Sequence, residues 1–180
     1  MLSYGCMPLA FLRGMHYIES TDKHKGDGAM KVSEILKVKG NILFTVTPDT
    51  LMRDAVDVMA QKDIGSLVVM EGGRLIGMLS FREVMATLRA NGGEIGGDTV
   101  RRHMDTQPLT ISCQTEVDEV RRLMLNHHAR YVPVLDQHNL VGVISFYDVA
   151  KAILEAQSFE NQMLKSYIQD QPLMAVEQGE

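Results

Sequence analysis

From residue 44 onward, apolar positions switch between two spacings. A short apolar run at 44–46 ends in Thr47, and Leu51, Met52, Ala55, Val56, Val58 and Met59 then recur at helical intervals. Two β-branched-rich runs follow at 66–70 and 75–80. The polar tetrapeptide Glu71-Gly72-Gly73-Arg74 between them predicts a hairpin. A second helix begins at Phe81, with Val84, Met85 and Leu88 on one stripe. It ends at Asn91-Gly92-Gly93, residues that tolerate the left-handed backbone of a helix terminus.

The same order returns 65 positions later, without a gap, from Val46/Ile111 to Val84/Val149. Residues 109–111 repeat the first strand, and Val117, Val120, Leu123, Met124 and Leu125 repeat the first helix. Runs at 131–135 and 140–145, split by Asp136-Gln137-His138-Asn139, repeat the hairpin. Thr50/Thr115, Met59/Met124, Gly77/Gly142, Ser80/Ser145 and Phe81/Phe146 are identical pairs. An ungapped internal repeat is the mark of a duplicated structural unit, here strand-helix-strand-strand-helix. Thr50 and Thr115 are the expected helix N-caps. Pro133 cannot donate to a ladder, so its strand lies at an edge or has an unpaired side there. The last helix lacks a glycine stop. Phe159, Met163, Leu164, Tyr167 and Ile168 carry its apolar spacing to about Asp170, which predicts a protruding helix whose outer half packs on a second copy of the chain.

Short amphipathic pieces precede each repeat, at 32–36 and 100–104, with an offset of 68. The chain thus divides into an N-terminal extension (1–29), a first repeat (30–93), a second repeat with the long helix (94–170) and a tail (171–180). The extension is polar and Gly-containing over 19–29, as linkers are, and reads as loosely ordered. Its apolar stretch at 7–12 lacks the flanks of a signal peptide.

The chain's 180 residues suffice for one good core or two small ones. A net charge of -5 argues against a nucleic-acid surface, which needs clustered Lys and Arg. No run approaches a membrane span. Two cysteines, Cys6 and Cys113, make no disulfide framework, so a reduced, cytoplasmic setting is the simpler expectation. Of the 13 methionines, Met52, Met59, Met85 and Met124 fall on predicted core stripes. His127, His128 and His138 lack a metal-ligand spacing, and no metal is expected.

The element order, the tandem doubling and the Gly-h-h-Ser-x-x-Asp/Glu turn (h, an apolar residue) resemble the CBS domain pair, or Bateman module, over about residues 30–170. The resemblance implies an α/β (α+β) fold, two repeats packed about a pseudo-two-fold axis with two clefts between them, and dimerisation. It also implies an adenosyl ligand: AMP, ADP, ATP, S-adenosylmethionine or NAD(H). By that resemblance the acid of the Ser-x-x-Asp turn binds ribose hydroxyls and the Ser meets phosphate. This puts Ser145, Tyr147 and Asp148 in one site, and Ser80, Arg82 and Glu83 in the other. Thr47 and Ser112 end the first strands, where ligand contacts are expected. Arg130, with His128 and Tyr131 beside it, is the expected phosphate-side cation, and Gly65 occupies the matching place in the first repeat.

The turns also have a purely structural reading. Ser-x-x-Glu ahead of an apolar helix is a capping box, and Ser80/Glu83 fits that as well as it fits ligand. Ser145/Asp148 is the better ligand candidate. Neither Gly-rich phosphate motif nor a nucleophile–base constellation occurs, so the chain reads as non-catalytic. Two functions remain open: an adenine-nucleotide sensor read by an effector protein, and a structural dimerisation module with degenerate clefts.

Overall fold

The computed structural model describes residues 17–18, 29–40, 42–137 and 139–169, with the side chains of 17, 18 and 167–169 excepted. Most of the extension, Asn41, His138 and the tail lie outside them. The elements are β1 (Tyr17–Ile18), α1 (Val32–Lys39), β2 (Thr45–Val46), α2 (Met52–Lys62), β3 (Ser66–Glu71), β4 (Arg74–Ser80) and α3 (Phe81–Ala90). They continue with α4 (Val100–His103), β5 (Thr110–Ser112), α5 (Val117–Asn126), β6 (Tyr131–Asp136), β7 (Asn139–Ser145) and α6 (Phe146–Gln169). One sheet runs β2-β3-β4, the other β1-β5-β6-β7.

Each hairpin is antiparallel, and each is joined in parallel by the preceding strand. The ladders also slip at matching places, between Val69 and Met70 and between Val134 and Leu135. Duplication therefore extends to the bulge, an irregularity that raises local twist. Two residues of the N-terminal stretch, Tyr17 and Ile18, pair in parallel with Thr110 and Ile111. Two residues carry no periodicity, so this strand had no pattern in the sequence.

Pro133 lies not on an edge but in β6, between β5 and β7. In the first repeat Val68 donates its N–H to the Phe44 carbonyl at 3.0 Å. Pro133 stands at the equivalent place without a donor, and β5 begins only at Thr110, one residue beyond Leu109. The unpaired-side alternative is the one realised.

The segments ahead of the repeats are exchanged. Val32, Ile35 and Leu36 of α1 belong to the core of the second repeat, with Ile111, Val120, Val132 and Ile144. Val100 of α4 belongs to the core of the first, with Met52, Met59, Leu67 and Leu79. Neither repeat closes its core without the segment that precedes the other, so the sequence division at residues 93 and 94 cuts across both cores.

This exchange explains two departures from expectation. Thr50 and Thr115 are not N-caps; those positions belong to Leu51 and Glu116, and neither makes a side-chain capping bond. Backbone from the exchanged segments serves instead, with Met52 N–H donating to the Asp98 carbonyl and Val117 N–H to that of Met30, both at 2.9 Å. Orphan helix-start donors are thereby satisfied without a polar side chain. The repeated glycines sit where the exchanged segments cross. A Cβ at Gly77 would lie 2.6 Å from the Asp105 carbonyl oxygen, and one at Gly142 would lie 2.6 Å from a Leu36 methyl.

Met52, Met59 and Met124 are buried, as their stripes predict. Met85 is not: it is 63% exposed, because α3 turns Val84 and Thr87 to the core instead.

Candidate functional site

Two clefts lie along the seam between the repeats. The larger, about 680 Å³, is lined by Ser80–Glu83 at the start of α3 and by His127–Tyr131 ahead of β6. The smaller, about 580 Å³, is lined by Ser145–Tyr147 at the start of α6, Asp63–Ser66 at the entry to β3, and Lys39, Gly40, Ile42, Leu43 and Phe44 at and after the end of α1. The 65-residue offset maps one wall set onto the other: Ser80 onto Ser145, Phe81 onto Phe146, Asp63 onto His128, Gly65 onto Arg130. Asp63 and His128 even share the left-handed backbone, with φ of 52° and 51°. Each cleft thus takes its helix start from one repeat and its helix–strand turn from the other.

That crossing redistributes the candidates. His128 faces Ser80, Arg82 and Glu83, not the Ser145 turn. Arg130 and Tyr131 line both clefts. Thr47 and Ser112 line neither. The Thr47 hydroxyl pairs with that of Thr50 at 3.0 Å, and the Ser112 hydroxyl accepts the Gln114 N–H at 3.1 Å. Both strands end in local hydroxyl turns that point their polar atoms along the chain.

The Ser80 turn forms the capping box. Glu83 Oε2 accepts the Ser80 N–H at 2.9 Å and also the Ser80 hydroxyl, whose oxygen in turn accepts the Arg82 N–H. Arg82 Nε donates to Glu83 Oε1 at 2.8 Å and Nη2 reaches Asp105 at 3.3 Å. Glu83 is 9% exposed and both its oxygens are engaged. The hydrogen bond to Glu83, then the Coulomb attraction of Glu83 and that of Asp105, raise the Arg82 pKa against its partial burial.

The Ser145 turn forms a box too, although its acid is shorter. Asp148 Oδ2 accepts the Ser145 N–H and hydroxyl, each at 2.7 Å, and the Ser145 oxygen accepts the Asp148 N–H at 3.2 Å. The cation here comes from elsewhere. Lys39, in the last turn of α1, sends Nζ to Asp148 Oδ2 at 2.6 Å and to the Val143 carbonyl at 3.1 Å. Burial pushes the Asp148 carboxyl up, but the hydrogen bonds from Lys39 and Ser145 outweigh it and hold the group below its ordinary range. Asp148 lies behind Lys39 and Ser145, which face the cleft.

The remaining walls are largely apolar. Ile42, Phe44, Ile64 and Phe146 line the smaller cleft, and Phe81, Met85, Leu125 and Phe146 the larger. Tyr131 bridges the two repeats, its phenol against the α-carbon of Gly65: a Cβ there would lie 1.7 Å from the hydroxyl. Glycine stands at Arg130's counterpart because the tyrosine occupies the space of a side chain. Aromatic faces with a few polar groups at one end suit a flat heterocycle bearing a polar tail. Among the described residues, no three His, Cys, Asp or Glu side chains gather as a metal site, and no helix is long and apolar enough to cross a membrane.

Lys39, Asp105, Phe81 and Phe146 were not among the sequence candidates. The two phenylalanines carried a signal, identity in both copies. Lys39 carried none, because it precedes the ungapped repeat.

Comparison with known proteins agrees with this architecture. The sequence profile of the CBS domain matches residues 32–90 and 100–155. The CBS domain-containing protein YhcV of Bacillus subtilis (strain 168) is 32% identical over 106 residues, covering 59% of this chain and 75% of its own. Among solved structures, CBSX2 in complex with AMP superposes with a TM-score of 0.59 at 24% identity, over 71% of this chain and 98% of its own. The CBS domain pair of protein MJ0100, in complex with 5′-methylthioadenosine and S-adenosyl-L-methionine, superposes with a TM-score of 0.62 at 20% identity, over 72% and 99%. Two matched copies, two exchanged cores and two seam clefts make this chain a member of the CBS-domain family, with a tandem CBS pair as its folded body.

Proposed function

We propose that the chain is a non-catalytic regulatory module that takes an adenosyl ligand at the seam between its CBS repeats. The ligand class is AMP, ADP, ATP, S-adenosylmethionine or NAD(H), and an effector protein reads the result. The observation that carries this is the pair of clefts whose walls map onto each other through the repeat, each joining apolar faces to a Ser-x-x-acid helix start. In the smaller cleft the base packs between Ile42, Phe44 and Phe146, the ribose hydroxyls bond Asp148, and the phosphate meets Ser145 and Arg130. A carboxylate accepting hydroxyls contributes charge-assisted bonds of about 1.5–3 kcal/mol each. Two solved CBS pairs carrying AMP or S-adenosylmethionine support the adenosyl class. A ligand biases the arrangement of the repeats only by its differential affinity for the alternatives.

Thermal unfolding tests the proposal. Ligand at 100 times its dissociation constant stabilises by about 2.7 kcal/mol. For a chain of this size that is a rise of roughly 5–10 °C in Tm. No rise with any of the five compounds would favour the second reading, a structural dimerisation module. One observation favours that reading: Leu154, Phe159, Met163 and Leu164 of α6 are 42–64% exposed. We assign this exposed apolar stretch of α6 to a homodimer contact on either reading. Phe159→Glu should halve the sedimenting mass while leaving the helical circular dichroism signal in place.

A further inference from the structure

We propose that Lys39 is the selectivity residue of the smaller cleft, making it prefer an adenosyl ligand with an anionic 5′ group over neutral or sulfonium-bearing ones. The inference rests on the adenosyl reading above and adds the charge of the ligand's tail. Three observations lead to it. Lys39 lines the cleft, whereas the carboxylate it covers does not. Its Nζ holds Asp148 Oδ2 at 2.6 Å and the Val143 carbonyl at 3.1 Å, which leaves the third N–H of the ammonium without an acceptor among the described residues. And Oδ2 already accepts both donors of Ser145, so it is saturated while Lys39 stays.

A ribose that engages both oxygens of Asp148 must therefore move the ammonium. Lys39 is half-exposed at the end of a helix, next to Gly40, and its stem is long enough to swing within the cleft. An anionic tail offers the displaced ammonium a new partner, so one ion pair is exchanged for another. A neutral nucleoside breaks the pair and replaces nothing, and a sulfonium adds repulsion. The larger cleft has no such exchange. There Tyr147's counterpart is Arg82, which pairs with Glu83 from the same helix turn and is also tied to Asp105.

The test is a calorimetric titration of wild type, Lys39→Met and Lys39→Gln with AMP, adenosine and 5′-methylthioadenosine. Each variant's melting curve is recorded to establish folding. Wild type should favour AMP over the neutral compounds, and both variants should lose about tenfold of that preference, the factor of one charge-assisted bond. Glutamine keeps a donor for Asp148 without the charge, so it isolates the charge. A preference unchanged in either folded variant would overturn the role of Lys39 and leave the adenosyl reading standing. Absence of binding by wild type to all three compounds would overturn the role of Lys39, and the adenosyl reading with it if ADP, ATP, S-adenosylmethionine and NADH also give no rise in Tm.

Discussion

The two clefts share one backbone frame and differ in where their charge comes from. In the larger, Arg82 neutralises the acid next to it in sequence, and Glu83 is buried with both oxygens engaged. In the smaller, position 147 is tyrosine, and the cation arrives from Lys39, 109 residues from its acid. A pair made within one helix turn is fixed by local geometry. A pair made between the exchanged segment and a helix start depends on how those two elements sit together. Duplication thus preserved the scaffold, including the bulges and the left-handed turn residues, while the polar groups diverged until only one turn presents its acid to a movable partner.

The sharpest break of this comparison is between the acids. Asp148→Ala should abolish the rise in Tm produced by AMP, a loss of roughly 5–10 °C of response. Glu83→Ala should leave at least half of that rise. Each substitution also removes half of a capping box and should lower the unliganded stability by about 1 kcal/mol. Equal loss of response in the two variants would mean that the clefts are functionally alike despite their different pairing.

The next effect concerns the glycines under the exchanged segments. At Gly77 an added methyl meets a backbone carbonyl of the crossing segment, which moves only if the whole segment moves. At Gly142 it meets a leucine methyl, which can rotate away. Gly77→Ala should therefore destabilise by about 2–3 kcal/mol and Gly142→Ala by about 1 kcal/mol or less, as read in urea titrations. A reversed order would mean that the β7 crossing, not the β4 crossing, is the tighter one.

Those glycines also bear on what the sequence could say. The repeat, its hairpins and the helix starts were legible because identical residues recur at one offset, and pattern needs only periodicity. Which repeat each leading segment joins was not legible, since Val32 and Val100 bury the same face whichever core receives them. Gly77 and Gly142 held part of the signal: a glycine inside an apolar strand marks a close approach, here by a carbonyl at Gly77 and by a leucine side chain at Gly142. The cleft linings were legible in their helix starts, Ser80–Glu83 and Ser145–Tyr147, and in Arg130 and Tyr131. The grouping of those residues was not, because each cleft mixes the two repeats. That Thr47 and Ser112 line neither cleft was not legible for a related reason. A hydroxyl at a strand end looks the same in sequence whether it meets a ligand or closes a turn on its own backbone.

The smallest effect probes the pair that sets the clefts apart. Asp148 titrates below its ordinary range in the folded chain, held there by Lys39 and Ser145 against its burial. A depressed carboxyl contributes stability that is fully present above the unfolded value, about 3.9, and disappears as pH falls through the folded one. Removing Lys39 removes part of that depression. Wild type should accordingly be more stable than Lys39→Met at pH 7, by about 1 kcal/mol or less because the lysine is half-exposed. The two unfolding curves should converge as pH falls below the ordinary carboxyl range and the carboxyl becomes protonated in both. Arg82→Met is the matched control in the other cleft, where the side chain also contacts Asp105. A gap between wild type and Lys39→Met that stays constant as pH falls from about 7 through and below the carboxyl range would assign the lysine's contribution to its bond with the Val143 carbonyl and its packing, and would remove the ion pair as the feature that distinguishes the smaller cleft.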